Sequence, residues 1–429
     1  MKIKTWLLVI AALFATTLLL QAQDLISRVA VPDAEADYSL RRVIARVLLE
    51  NPDVRAAERA YAAAKARLLT QLPLLPDPSI VADYEGLSTL TRTSGFQERN
   101  LGIVQPIEFP LKWWKRNQVM GNETRVAEMA FEVVKLAKTA DTRKTYDEVL
   151  ARQRGVELAD DNLAMTQQFL QKAKVRFEAG DVPNIEVLRA GIEVARAELD
   201  TMATAKELLL GKAALNLLMA RDAHAPLNLT GKLTFTPVNF DIDSLKALMI
   251  ERHPRARAWD YSVAGSRSAV SLAALQFVPD FELGVFRQTI PGDGSFWTAQ
   301  VGLKIPLWFM FRQRGDLREA KANLGQVQAE RRSVLNELTL NLEGAFHQLQ
   351  VTTREVRIYV DYLLGEAEEI YRIASRSYEE GEASYLEVLE AQRTLRTTRT
   401  EYTQALFQYD AALADLEQAV GGALLLVGG

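Results

Sequence analysis

The chain has 429 residues, of which 48% are hydrophobic, 25% charged and none cysteine. The missing cysteine excludes a disulfide framework, a thiolate metal site, a cysteine nucleophile and an N-terminal lipid on Cys. The net charge of −4 speaks against a nucleic-acid binder. His224, His253 and His347 stand far apart and in no metal-ligand spacing. At roughly 150 residues per domain the length predicts two or three domains. Past residue 20 there is no run of 18 apolar residues, so the remaining chain is expected to hold no membrane-crossing helix. That excludes only the helical kind of membrane protein.

Residues 1–23 read as a signal peptide. Lys2 and Lys4 precede an apolar run over 6–20, and Ala22 offers a small residue before cleavage near Gln23. The mature chain is therefore expected to leave the cytoplasm.

The remainder repeats itself. Asn51-Pro52 at the start of NPDVRAA recurs as His253-Pro254 in HPRARAW, and RFEAGDVPNIEVLRA (176–190) recurs as SYEEGEASYLEVLEA (377–391). The two offsets are 202 and 201 residues. Between them lie two aromatic-basic junctions, PLKWWKRNQ (110–118) and PLWFMFRQR (306–314). A period this long marks a duplicated sub-domain, in contrast to the short repeats of a solenoid. The first repeat is expected over 24–242, with a linker at 221–242, and the second over 243–429.

Each unit predicts the same elements in order. A helix opens at Pro52 or Pro254, where the missing N–H costs nothing. A β-hairpin follows over about 78–109 or 279–306. Then come a long helix over about 112–177 or 312–379, a glycine turn at Gly180 or Gly381, and a helix over about 184–220 or 385–420. Leu335, Leu342, Leu349, Val356, Leu363 and Ile370 recur every seven residues, the seam of a coiled coil. Taken alone, that seam also fits a soluble periplasmic rod.

The hairpins argue for more than a rod. Trp297, Ala299, Val301, Leu303 and Ile305 alternate with mostly polar or small residues, as do Phe281, Leu283 and Val285, and Ile80, Ala82 and Tyr84. Leu101, Ile103 and Ile107 continue the pattern, interrupted by Gln105. Runs of about 9–12 residues suit tilted transmembrane strands. The strands lead into Trp113, Trp114, Lys115 and Arg116 in one unit and Trp308, Phe309 and Arg312 in the other. Rings with snorkelling cations suit a membrane–water interface, and Lys112 belongs to the same cluster. Four strands cannot close a barrel, so several chains would have to pool them.

With these features the mature chain, over about 38–422, resembles the TolC-type outer-membrane efflux factors of Gram-negative bacteria, and more weakly their heavy-metal cation efflux branch. The resemblance implies a mainly α fold with a small membrane β-barrel. It implies a homotrimer whose twelve strands form that barrel and whose helices form a periplasmic tunnel. It also implies docking on a periplasmic adaptor and an inner-membrane pump of RND type. The adaptor-docking tips would be Arg176, Gly180, Asp181 and Val182, with Tyr378, Gly381, Glu382, Ala383 and Ser384. An acidic ring at the periplasmic aperture would match Glu186, Glu387 and Glu390. Ala383 stands where some members carry a basic latch residue, so no salt-bridge latch is expected there.

No nucleophile–base pair, phosphate loop or metal motif is present, so no enzyme, no cofactor and no metal site are expected. The function read from the sequence is a passive outer-membrane exit duct of a tripartite efflux system. A type I secretion duct and a non-channel periplasmic coiled-coil or adaptor protein are the alternatives.

Overall fold

The computed structural model describes residues 37–70, 76–87, 96–305 and 311–424. The expected signal peptide, Trp308 and Phe309 lie outside the described residues. The described chain forms two compact units. In the smaller one, β1 (Asp37–Tyr38) pairs in parallel with β4 (Asn228–Leu229), and Asn228 Nδ2 donates to Asp37 Oδ1 at 2.7 Å. All other elements belong to the larger unit.

That unit starts with α1 (Leu40–Glu50) and α2 (Pro52–Thr70). The break between them is set by proline, which disfavours helical backbone in the residue before it. Asn51 is accordingly extended, at φ −61° and ψ 130°. Its Oδ1 accepts from Asp53 N at 3.0 Å, and its Nδ2 donates to Leu218 O at 3.0 Å. The same break separates α5 (Ile242–Arg252) from α6 (Pro254–Leu275). There His253 Nδ1 accepts from Arg255 N at 3.1 Å. Burial, with the charge of Arg255, pushes the pKa of His253 down to about 4, which keeps the ring neutral and able to accept. The sequence reading starts these helices at the prolines. The structure adds an 11-residue helix before each, and α5 begins inside what reads as linker-like sequence.

The long helix α3 (Pro110–Glu178) runs unbroken for 69 residues, roughly 100 Å at 1.5 Å per residue. A turn leads to α4 (Asn184–Leu218). In the second half, α7 (Arg312–Ile358) passes through a π-helical turn (Tyr359–Leu363) into α8 (Leu364–Glu380), and α9 (Tyr385–Val420) closes the unit. The seven-residue seam holds only part of the way. Leu342, Leu349 and Val356 are buried, joined by Leu338. Beyond the π turn the buried positions become Ala367 and Tyr378, while Ile370 is 49% exposed. A π turn takes one residue more than an α turn, so it rotates the following helix away from the original seam. The main core gathers Leu342, Leu349 and Val356 with Tyr409, Leu413 and Leu416 of α9 and Leu245 and Met249 of α5.

The hairpin strands form one antiparallel sheet in the order β2 (Ser79–Glu85), β3 (Glu98–Ile107), β5 (Asp280–Ile290), β6 (Gly294–Lys304). The register aligns the apolar positions. Ile80 faces Ile103, which faces Val285, and Leu283 faces Val301 while Phe281 faces Leu303. One sheet face is therefore apolar across all four strands, and those side chains are exposed. Gln105 interrupts it without leaving its amide unsatisfied, because Nε2 donates to Pro76 O at 2.6 Å and Pro106 O at 2.9 Å. On the other face, Phe286 lies buried over Gly102 and Gly284. Among the described residues β2 and β6 each have one strand neighbour, so the sheet is open at both edges.

A side chain at Gly102 would meet Phe286 Cδ1 at 2.3 Å and Val285 O at 2.5 Å. Gly102→Val is therefore expected to destabilise the chain by about 1–3 kcal/mol. Adding Phe286→Ala restores part of the loss. Unfolding midpoints of the single and double variants check this, and a single variant as stable as wild type would refute it.

Candidate functional site

The sequence singles out three places: the strand-to-helix junction, the two turns after the long helices, and three glutamates beside those turns.

At the junction, Lys112 differs from the expectation. It does not snorkel; it is 1% exposed. Its Nζ donates to Asp280 Oδ1 and to Val278 O, both at 2.8 Å, and Phe109 N donates to the same Asp280 oxygen at 3.0 Å. The start of α3 is thus tied to the start of β5 by an ion pair whose ammonium is buried and whose carboxylate is one-third exposed, across 168 residues of sequence. Burial of the ammonium is tolerated because both a carboxylate and a carbonyl meet it. Nothing in the local pattern distinguishes Lys112 from its basic neighbours, so the sequence gives no signal of this role. The other expected anchors stay near the surface. Trp114 is exposed with Lys115 Nζ 4.7 Å from its ring centroid, Trp113 is half-buried, Arg116 pairs with Glu108, and Arg312 is exposed.

The two turns are built alike. Gly180 has φ +83° and Gly381 φ +84°, the left-handed stop that glycine adopts without strain. Asp181 N donates to Arg176 O at 2.9 Å, and Glu382 N to Ser377 O at 2.8 Å. Val182 and Ala383 are half-buried, and Asp181, Glu382 and Ser384 are exposed.

The fold brings the two turns together. Arg176 Nη1 donates to Tyr378 O at 2.9 Å, and its guanidinium lies 4.7 Å from the Tyr378 ring centroid. The Tyr378 hydroxyl donates to Glu186 Oε2 at 3.3 Å. Burial, then the nearby Glu186 carboxylate, raise the Tyr378 pKa, so the phenol stays a donor. Beneath them Phe169 packs between Tyr378 and Tyr385, at 5.0 and 5.1 Å. Burial and Glu193 push Tyr385 up to about 12.

The three glutamates have different occupations in one chain. Glu186 receives the Tyr378 hydroxyl. Glu387 closes a capping box: Ser384 N donates to Glu387 Oε2 at 2.7 Å, while Ser384 Oγ accepts from Glu387 N at 3.4 Å. Glu390 is exposed. Ion pairs that the sequence reading did not identify tie α4 to α9 further along, Glu193 to Arg393 at 2.6 Å and Asp200 to Arg396 at 2.8 Å. Their signal was an acid on one helix and a base on another about 200 residues on, legible only once the helices are paired.

A family model for outer membrane efflux protein matches residues 43–221 and 247–422. The chain belongs to the outer membrane efflux protein family. The cobalt-zinc-cadmium resistance protein CzcC of Cupriavidus metallidurans is 26% identical over 355 residues, spanning 82% of this chain and 83% of its own. The pyoverdine export outer membrane protein OpmQ of Pseudomonas putida is 25% identical over 435 residues, spanning 92% and 89%. Among solved structures, CusC superposes with a TM-score of 0.76 at 18% identity over 92% of this chain and 96% of that one. VceC from Vibrio cholerae gives 0.73 at 18% identity over 90% and 96%. As an outer membrane efflux protein the chain is an outer-membrane channel, mainly α with a small β part.

The Arg176–Tyr378–Glu186 contacts predict a stiff pair of turns. Arg176→Ala combined with Tyr378→Phe removes two hydrogen bonds and one cation–π contact. A loss of roughly 1–2 kcal/mol then speeds amide exchange across residues 377–384 by about ten-fold. Unchanged exchange would show that these groups do not hold the turns.

Proposed function

We propose that this outer membrane efflux protein is the exit duct of a tripartite pump, working as a homotrimer. The observation that carries the reading is the open sheet. Its apolar face is exposed on all four strands, and both edges lack neighbours among the described residues. An unpaired edge in hydrocarbon is costly, and more copies supply the missing strands. Three copies pool twelve strands, within the range of membrane barrels.

The two repeats, 24–242 and 243–429, then form one wall twice over. The exposed Trp114 with Lys115 and Arg116, together with Trp308, Phe309 and Arg312, marks the membrane interface. The joined turns at Gly180 and Gly381 present the docking end to a periplasmic adaptor, behind which stands an inner-membrane pump, in our reading of RND type. The signal peptide directs the chain out of the cytoplasm. Divalent metal cations are the cargo class to test first, since the relative CzcC is named for cobalt, zinc and cadmium resistance. Conduction is passive; the chain acts as no enzyme.

Glu186, Glu387 and Glu390 are read as the acidic lining of the closed periplasmic end. Three copies bring like charges toward one axis and favour cations.

Two experiments test this reading. Crosslinking of the purified chain in detergent is expected to end at a trimer band, and a ladder ending at monomer would overturn the assembly. In planar bilayers, Glu387→Gln with Glu390→Gln is expected to lower cation-over-anion selectivity several-fold. Unchanged selectivity would remove these glutamates from the aperture.

A further inference from the structure

The helices α3 and α9 meet beside the chain segment 231–241, and a tyrosine of each helix holds that segment. Tyr146 Oη accepts from Gly231 N at 3.1 Å, and Tyr409 Oη donates to Thr236 O at 2.6 Å. The next residue on each helix is an aspartate, Asp147 or Asp410. Asp147 is 8% exposed and Asp410 is half-buried. Among the described residues neither carboxylate has an ion-pair or hydrogen-bond partner.

The surrounding charges are already engaged. Arg143, one turn from Asp147 on α3, acts on both aspartates, but its guanidinium is bound to Glu417 of α9 at 2.6 Å. Lys144 is held by Asp415 of α9 at 2.8 Å. On the other elements packed against α3, Asp53 of α2 pairs with Lys138 at 2.6 Å. Glu50 of α1 pairs with Arg55 at 2.6 Å, and Arg152 turns to Glu148 at 2.5 Å and to the Glu207 carbonyl of α4 at 2.8 Å. On α6, Asp260 pairs with Arg331 of α7 at 2.7 Å. Among the described residues Arg143 is the cation that acts on both aspartates, and it is already held by Glu417; Lys232 of the segment itself is exposed.

We propose that Asp147 and Asp410 form a proton-operated clamp between α3 and α9. Protonated, the pair lets the helices close and the two tyrosines grip segment 231–241. Ionised, two like charges face one arginine that is already paired, the contact loosens, and the segment is released.

The titration range fits such a switch. Burial first, then the charge of Asp410, push the Asp147 carboxyl up to about 7, and burial pushes Asp410 up to about 6, against the opposing Arg143. Both values lie above 3.8, so the folded chain binds more protons than the unfolded chain between about pH 4 and 7. Stability contributed by this pair therefore falls as pH rises through that window and is flat above it.

The test uses the full purified chain in detergent. The wild-type unfolding temperature is expected to fall from pH 5 to 7, most steeply below about 6, where both carboxyls are still protonated in the folded chain, and to level off above 7. Amide protection of Gly231, whose N–H is bonded to Tyr146 Oη, corrected for intrinsic exchange, is expected to drop by about ten-fold, the equivalent of one pKa unit. A wild-type profile flat from pH 5 to 8 overturns the clamp without any variant. Asp147→Asn with Asp410→Asn is expected to abolish both changes and to raise the pH 8 unfolding temperature toward the pH 5 value. Asp410→Asn alone is expected to move the remaining transition to lower pH, because a like charge is gone. A full pH response in the double variant, or an unmoved transition in the single one, refutes the proposal.

Discussion

A β-strand edge has nowhere to put its N–H and C=O groups in hydrocarbon, and the rest of this structure is arranged around that constraint. The four-stranded sheet presents an apolar face from β2 to β6, set by a register in which apolar residues oppose apolar residues. A one-residue slip would turn that face over to the polar side. Gly102 and Gly284 protect the register by leaving room for Phe286 on the opposite face. Among the described residues the sheet is thus complete in its faces and open at both edges.

The helices must carry the sheet without sharing its solvent. The transfer is made at one ion pair, the buried Lys112 ammonium with the partly exposed Asp280 carboxylate, which joins the start of α3 to the start of β5. An ammonium this dry is a poor source of net stability, but removing Asp280 would leave it buried without a counter-charge, so the pair fixes the geometry of the joint. From there α3 runs without a break, while the second half reaches the same end through a π turn. The two halves therefore carry the same order of elements but different side-chain registers below Tyr359.

At the far end, the second half supplies Tyr378 and the first half supplies Arg176 and Glu186 on either side of it. Neither turn is finished without the other. The same logic holds midway along the helices, where Tyr146 and Tyr409 reach the same connecting segment from different halves.

Much of this was legible in the sequence, because much of it is local. Proline after Asn51 and His253 marks the helix breaks, glycine at 180 and 381 marks left-handed stops, and period-two alternation marks the strands. The short helices α1 and α5 carry no such mark, because each lies upstream of the proline that breaks the chain. The heptad seam stops short of its apparent end, because a single π turn leaves no mark in an apolar repeat. Pairings across one to two hundred residues leave no local mark: Lys112 reads as an interface anchor, although its ammonium is buried against Asp280. The sequence by itself determined the elements, their duplication and the apolar face of the sheet, since each depends on neighbours a few residues away. Only the tertiary structure decided which charges are buried and which partner each one meets, because burial and Coulomb attraction depend on distance in space and not on distance along the chain.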